Sequence, residues 1–105
     1  MITATAFRKL ALSFEGVIEQ PHFEKASFRI NKKIFATFSE ANSTVVIKLS
    51  EKEQSVFCAF DSDIIYPVAN KWGKQGWTMI NLKKVKTAML QDALEVAYNE
   101  VAAKK

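Results

Sequence analysis

The sequence has few of the residues that interrupt or cross-link a chain. Its 105 residues include three glycines, two prolines and one cysteine, Cys58. So few glycines and prolines predict that most of the chain lies in helices and strands, and a single cysteine excludes an internal disulfide and a thiolate zinc site. No apolar run reaches the roughly 20 residues that a membrane-spanning helix needs. Arg8 and Lys9 interrupt the apolar residues near the start, so we expect no secretory signal and a cytoplasmic protein without membrane association.

The composition is that of an ordinary globular protein. Hydrophobic residues make up 49% and charged residues 25% of the sequence, as in most folded soluble domains. The length predicts a single domain over residues 1–105. Fifteen basic residues against eleven acidic ones give a net charge of +4, which suits a nucleic-acid partner without identifying one.

Helical periodicity is clearest near the two ends. Apolar residues spaced as on one face of a helix begin at Phe7 and end at Phe14, and Gly16 follows as a helix terminator. Thr3 or Thr5 is placed to cap the start of this helix. Residues 85–101 have a wide apolar face over roughly 18 residues, which predicts a second, terminal helix.

The middle of the chain changes to a period of two. Residues 28–30, 34–38 and 45–49 alternate in polarity and predict three antiparallel strands. Polar links at 31–32 and 40–43 predict the hairpin turns between them. The stretch that precedes these runs contains a proline and is predicted to be extended or turned.

The remaining elements complete a mixed architecture. Ser50 lies three residues ahead of Glu53, the arrangement of a reciprocal helix cap, and predicts a short helix. Residues 61–76 are predicted to contain turns, one of them at 66–67, and residues 77–82 form a fourth strand. The order is α–β–β–β–α–β–α, which predicts a two-layer α+β sandwich with the N- and C-terminal helices on one face of an antiparallel sheet.

The chain resembles the MmcQ/YjbR family over nearly its whole length. The resemblance is carried by Leu10-Ala11-Leu12 ahead of Gly16-Val17, Pro21-His22-Phe23, Lys33-Ile34-Phe35-Ala36, Lys48-Leu49-Ser50, Gly76-Trp77 and Ala97-Tyr98-Asn99-Glu100-Val101. It implies a fold similar to that of the bacterial frataxin homologue. It also implies DNA binding through paired β-hairpins that resemble a double wing, and it supplies no catalytic residues.

Three departures from the family pattern affect the predicted turns. Phe14-Glu15 stands where leucine-proline is common, and Glu24 and Lys32 stand where glycine is usual. The first hairpin turn must therefore adopt a different conformation or accept strain at Lys32.

Alternation along the strands predicts a basic face of the sheet. Arg29 and Lys48 each lie between residues of the buried face, so a period of two directs both to the opposite, open face. Phe35 and Val46 are predicted to share the open face, with Ile34 on the buried one. The residues predicted to contact nucleic acid, on this face and at the two hairpin tips, are Arg29, Lys32, Lys33, Lys48, Asn42 and Ser43. The alternative is an exposed sheet face that scattered charge keeps soluble.

The two tryptophans suggest a second kind of contact. Trp72 and Trp77 flank Lys74 and two glycines, which fits an aromatic platform beside a cation for a base, a peptide or a lysine. In the structural alternative, Trp77 seals the sheet against the terminal helix and Trp72 plugs the edge of the core. We predict the structural role for Trp77 and keep both interpretations for Trp72.

The single histidine, His22, supports two interpretations. As a catalytic base it needs a partner, and an enzyme or small-ligand carrier centred on His22 and Tyr66 is one hypothesis. As a structural residue it fixes the loop through hydrogen bonds. No second histidine or cysteine accompanies it, so we expect no metal site.

These observations predict a binding module rather than an enzyme. We expect weak DNA binding of low specificity, no cofactor, and a monomer or weak dimer. The alternative is a protein- or peptide-interaction domain that uses the sheet face and Trp72. In either case the residues predicted to contact a ligand or partner beside the basic set are Trp72, Lys74 and His22.

Overall fold

The structure, a computed structural model, describes residues 2–22 and 25–102. Phe23 and Glu24, which the family resemblance singles out, lie outside the described residues. The helices and strands are α1 (Ala4–Leu12), β1 (Ile18–His22), β2 (Lys25–Ile30), β3 (Lys33–Ser39), β4 (Thr44–Lys48), α2 (Glu51–Cys58), β5 (Ile65–Pro67), β6 (Trp77–Asn81) and α3 (Thr87–Ala102). A short 3-10 turn at Gly73–Gln75 precedes β6.

All strands belong to one antiparallel sheet in the order β1-β2-β3-β4-β6-β5. This confirms the α+β prediction and adds a strand at each edge. The extended stretch around Pro21 is β1, which pairs only with β2, and an edge strand tolerates a proline because its missing N–H need not join a ladder. The turn predicted at 66–67 is wrong, since these residues belong to the three-residue edge strand β5.

The terminal helices cover one face of the sheet, as predicted. Phe7 of α1 is fully buried, and its ring centroid lies 5.2 Å from that of Phe28 and 4.9 Å from that of Phe38. The long helix α3 packs mainly on β3 and β4. Its Tyr98 hydroxyl donates to the Glu15 carbonyl oxygen at 2.6 Å, which joins the ends of the two helices. The opposite face of the sheet is left without a helix layer by α1 and α3, and we call it the open face.

A β-bulge changes the alternation in β3. Phe28 pairs with Ala36, yet the next residue of β2, Arg29, pairs with Ile34. Phe35 is therefore an extra residue without a partner in β2. An inserted residue reverses the orientation of every side chain on one side of it relative to simple alternation.

Because of the bulge, Phe35 and Ile34 point to the faces opposite to those predicted. Phe35 is fully buried against the helices, with its ring 6.4 Å from Phe14 and 5.8 Å from Tyr98. Ile34, predicted to be on the buried face, is only half-buried and pairs with Arg29 on the open face. The prediction that Phe35 offers apolar contact on the open face is therefore wrong.

The first hairpin turn keeps its two-residue form, and Lys32 carries the strain. Asn31 and Lys32 both have positive φ, at 54° and 69°. Replacing Lys32 with glycine is expected to raise the free energy of unfolding by about 0.5–1 kcal/mol, because glycine occupies this region without the Cβ penalty. Urea denaturation measures the change. The control is Lys33→Gly, which removes the same charge in strand β3, where φ is not positive. This variant should have a lower free energy of unfolding. Equal changes in the free energy of unfolding for the two variants would contradict strain at Lys32.

Among the described residues, none of the helices combines the length and the apolar character required to cross a bilayer.

Candidate functional site

The open face is defined by the pairing of the strands. Directly paired residues in an antiparallel sheet point to the same side, and one row of pairs crosses the face through Gln20, Ser27, Thr37, Val46, Met79 and Tyr66. Arg29 lies two residues from Ser27 on β2, and Lys48 lies two residues from Val46 on β4. The structure thus places Arg29 and Lys48 on the same face, as the alternation predicted.

A groove of about 400 Å³ lies on this face. Apolar side chains form most of its lining, and a histidine and a lysine come from the β1–β2 side. Its lining residues are His22, Lys25, Ile34, Thr37, Val46, Val68, Trp72, Trp77 and Met79. A volume in the range of roughly 300–1,000 Å³ with a mainly apolar lining is typical of ligand-binding clefts.

Both tryptophans belong to this groove. Trp77 pairs with Lys48 on the open face, while its neighbour Thr78 is buried on the helix side. Trp77 therefore faces the groove together with Met79. It also lines a small pocket with Glu100 and Val101 of the terminal helix, so its predicted sealing role against that helix stays a prediction. Trp72 is 49% exposed, so it borders the groove and does not plug the core.

The segment that carries the tryptophans is fixed by a close approach of two backbones. Gly76 has a φ of +103°, and a Cβ at this position would lie 1.8 Å from the Leu49 carbonyl oxygen. The Leu49 N–H donates to the Gly76 carbonyl oxygen at 3.0 Å, and the Trp77 N–H donates to the Trp72 carbonyl oxygen at 3.2 Å. The position of Trp72 and Trp77 therefore depends on a glycine at residue 76.

Two side chains support the same segment. The Lys48 ammonium donates to the carbonyl oxygens of Leu49, at 3.2 Å, and of Gln75. The Gln54 amide nitrogen donates to the carbonyl oxygens of Gly73 at 2.8 Å and Trp77 at 3.2 Å. Lys48 is half-buried, and its ammonium is engaged with backbone oxygens, so its contact with a phosphate stays a prediction while its structural role is evident.

The role of Gln54 has no local marker in the sequence. The predicted helix cap is confirmed, because the Ser50 side chain accepts from the Glu53 N–H at 3.1 Å and the Glu53 carboxylate accepts from the Ser50 N–H at 3.1 Å. This cap fixes where α2 begins. The acceptors of Gln54 lie 19 and 23 residues away along the chain, and no local pattern identifies contacts at such separations.

Arg29 is held on the open face by a short relay of hydrogen bonds. Its Nε donates to the Ser27 hydroxyl at 3.0 Å, and that hydroxyl donates to the Gln20 carbonyl oxygen at 2.9 Å. Ser27 is fully buried, so the relay has a fixed base. The bond uses one of the five N–H groups of the guanidinium, and within the described residues the structure gives Arg29 no further partner.

The two hairpin tips lie at opposite ends of β3. Lys32 and Lys33 are exposed at the β2–β3 tip, and Lys33 lines a small pocket of about 160 Å³ with Glu100 and Val101 of α3. The tip at 40–43 is separated from them by the seven residues of β3, which span roughly 23 Å. The structure therefore brings Arg29 close to the first tip and does not bring Asn42 and Ser43 to the same place.

Charge is distributed unevenly between the two faces. The strands contain four basic residues, Lys25, Arg29, Lys33 and Lys48, and one acidic residue, Glu19. Glu19 pairs with the buried Phe28 and accepts from Arg8 of α1 at 3.1 Å, so it faces the helix layer. Lys33 pairs with the buried Ile30 and so also faces the helix layer. Among the described strand residues, the open face thus carries Lys25, Arg29 and Lys48 and no acidic side chain.

The residues of the hypothetical catalytic centre do not meet. His22 is half-buried on β1 and lines the groove. Tyr66 lies on β5, at the other edge of the sheet, where its hydroxyl contacts the Met79 sulfur at 3.4 Å. Lys74 is exposed in the 3-10 turn, two residues from Trp72.

The described residues contain no cluster of three or more histidine, cysteine, aspartate or glutamate side chains suited to a metal ion. Cys58 is half-buried at the end of α2, and burial raises the pKa of its thiol. A protonated thiol is a poor nucleophile and a poor metal ligand, so this residue behaves as a small apolar side chain.

Comparison with known proteins gives a family and a fold. The model of the family described as YjbR matches residues 12–100. The crystal structure of Deinococcus radiodurans protein DR2400, described as a DUF419 domain, superposes with a TM-score of 0.85 at 18% sequence identity, covering 99% of this chain and 81% of that chain. No curated protein matches the sequence. The likeness to the solved structure supports the α+β architecture.

Proposed function

This chain belongs to the YjbR family, and we propose that its open face binds nucleic acid, with DNA as the expected form, without catalysing a reaction. The observation that supports this proposal is the one-sided charge of the sheet. Lys25 and Arg29 lie beside the groove, while Glu19 is paired with Arg8 on the other side. Among the described strand residues, the open face carries cations and no carboxylate, and such a surface attracts a polyanion.

The basic residues act by contacting phosphate. Arg29 offers a planar fork of donors suited to phosphate oxygens, and Lys25 and Lys32 add point charges. Three such contacts predict that the logarithm of the association constant falls with the logarithm of the salt concentration with a slope of about −2.7 on duplex DNA and about −2.1 on single strands. Contacts of this kind position the ligand without reading its sequence, so we expect weak binding of low specificity.

Location and assembly follow from the same proposal. We propose that the protein acts in the cytoplasm, where nucleic acid is accessible. We also propose that it binds as a monomer, because association of two copies through the open face would cover Arg29.

Reversing two charges tests the proposal. Lys25→Glu/Arg29→Glu is expected to weaken binding to a fluorescein-labelled 20-nucleotide DNA at least about tenfold at roughly 50 mM salt, because two phosphate contacts become repulsive. Fluorescence anisotropy at 50 and 200 mM salt measures the loss. Lys83→Glu/Lys84→Glu, exposed residues between β6 and α3, changes the net charge equally and is the matched control.

Three results would count against the proposal: no binding by the native protein at the lower salt, binding that is indifferent to salt, or equal losses in the two double variants. Circular dichroism of both variants checks that the fold is retained. Equal losses with intact folds would show that net charge alone attracts the DNA, without a role for the open face.

A peptide-binding function is the second candidate, and the half-exposed Trp72 favours it. Binding to a protein partner through the apolar groove would survive at high salt and be lost in Trp72→Ala. Nucleic-acid binding through phosphate would instead weaken steeply as salt rises.

A further inference from the structure

Building on the proposed nucleic-acid function, we infer that the ligand is single-stranded and that its bases stack on Trp72 and Trp77 in the groove of the open face. The inference concerns the class of ligand, which charge alone does not decide. It rests on three features of the groove: its apolar lining, the fixed position of its tryptophans, and the placement of the cations at its side.

The lining of the groove matches exposed bases. Ile34, Val46 and Met79 form an apolar floor, and Trp72 and Trp77 border it. A duplex presents phosphates on its outside and stacks its bases within, so an apolar groove gains little from it. A single strand exposes the faces of its bases, which pack on aromatic and apolar side chains.

The tryptophans are held in place before a ligand arrives. The Trp72 N–H donates to the Asn70 side-chain oxygen at 2.9 Å, and the Trp72 carbonyl oxygen accepts from the Trp77 N–H at 3.2 Å. Lys48 and Gln54 bind the backbone between these two residues, at the carbonyl oxygens of Gln75 and Gly73. A platform that is already ordered loses little conformational entropy on binding.

The cations lie where the backbone of a stacked strand would pass. Trp72 and Trp77 belong to the β6 side of the groove, whereas Lys25 belongs to β2. Arg29, also on β2, is fixed on the same face by Ser27. Bases stacked at the tryptophan side thus leave the phosphates directed toward the basic strand, which is the usual division of roles in proteins that bind single strands.

A peptide fits these features less well. Strand addition needs an unpaired sheet edge, whereas the groove crosses strands β3, β4 and β6, which are paired on both sides. An acidic peptide would satisfy the cations without using the two aromatic rings. The open face therefore favours a ligand that is both anionic and rich in flat rings.

The test compares single-stranded and duplex DNA on the full chain. We expect a labelled 12-nucleotide oligo(dT) to bind at least about tenfold more tightly than a duplex of the same length at roughly 50 mM salt, with quenching of tryptophan fluorescence. Trp72→Ala should weaken oligo(dT) binding by about 5- to 150-fold, the range measured for loss of one stacked base. Trp72→Phe should restore most of the affinity, because it keeps an aromatic face.

The control variant is Phe60→Ala, which removes an exposed aromatic ring from outside the groove and should leave binding unchanged. Equal binding of duplex and oligo(dT), with no effect of Trp72→Ala, would overturn this inference and leave the proposed function standing. Absence of binding to either DNA would overturn both. If a 12-residue poly-glutamate peptide bound as tightly as oligo(dT), the face would select charge alone, which also overturns the inference.

Discussion

Phe7→Ala is expected to lower the free energy of unfolding by about 3–5 kcal/mol. Phe7 is fully buried and contacts the rings of Phe28 and Phe38. The other buried residue of α1 is the small Ala11, so Phe7 is the largest buried side chain that holds α1 on the sheet. Its removal leaves a cavity between two layers that cannot collapse fully, because the paired strands fix the positions of the neighbouring rings.

Chemical denaturation of the native protein and the variant measures this effect. Phe60→Ala is the matched control: Phe60 is 65% exposed, and its loss should change stability by no more than about 0.5 kcal/mol. If Phe7→Ala is unfolded at room temperature, Phe7→Leu provides the graded measurement and should cost about 1–1.5 kcal/mol. Similar costs for Phe7→Ala and Phe60→Ala would contradict the packing of α1 on the helix side of the sheet.

The parts of the fold that the sequence predicted are those set by local chemistry. The caps of the two shorter helices are confirmed, since Thr3 accepts from the Ala6 N–H at 3.1 Å and Ser50 and Glu53 form a reciprocal cap. The terminal helix is also confirmed. In each case the interacting residues lie within one or two turns of each other, so spacing alone carries the information.

The parts that escaped prediction depend on contacts between distant residues. The edge strand β1 contains Pro21, which local rules count against a strand, and its pairing with β2 decides the outcome. The bulge at Phe35 has no marker in the sequence, because both Ile34 and Phe35 are apolar. Its position follows from the packing of Phe35 between Phe14 and Tyr98, and Tyr98 is far away along the chain.

In the candidate site, too, local alternation could be predicted from the sequence, whereas contacts between distant residues could not. Arg29 and Lys48 were placed on one face correctly because alternation is regular within β2 and β4. The bonds of Lys48 to the Gln75 carbonyl oxygen and of Gln54 to the Trp77 carbonyl oxygen span 27 and 23 residues. The pairing of Trp77 with Lys48 directs Trp77 to the groove, and this pairing, like the two bonds, exists only once the strands have assembled.

Gly76→Ala is expected to destabilise the fold by about 3 kcal/mol or more and to weaken nucleic-acid binding in the same variant. A non-glycine residue at a φ of +103° pays a backbone penalty of about 1–2 kcal/mol. In addition, the new Cβ would lie 1.8 Å from the Leu49 carbonyl oxygen, which is a backbone atom and moves only if β4 and the segment before β6 separate. That separation breaks the bond from the Leu49 N–H to the Gly76 carbonyl oxygen and displaces Trp77.

Gly16→Ala is the matched control for this prediction, since Gly16 also has a positive φ, of 80°, but its new Cβ would meet only the Ile30 Cδ1 atom at 2.8 Å. The end of a flexible side chain moves aside at small cost. Gly16→Ala should therefore lower the free energy of unfolding by only the backbone penalty, about 1–2 kcal/mol. Urea denaturation gives the two stabilities, and anisotropy with oligo(dT) under conditions where each variant is folded gives the affinities.

Equal stability losses would show that the approach of Gly76 to Leu49 is not rigid. A folded Gly76→Ala with native affinity would show that the tryptophans do not depend on this contact, whereas weakened binding in Gly76→Ala alone links the backbone geometry at residue 76 to the groove.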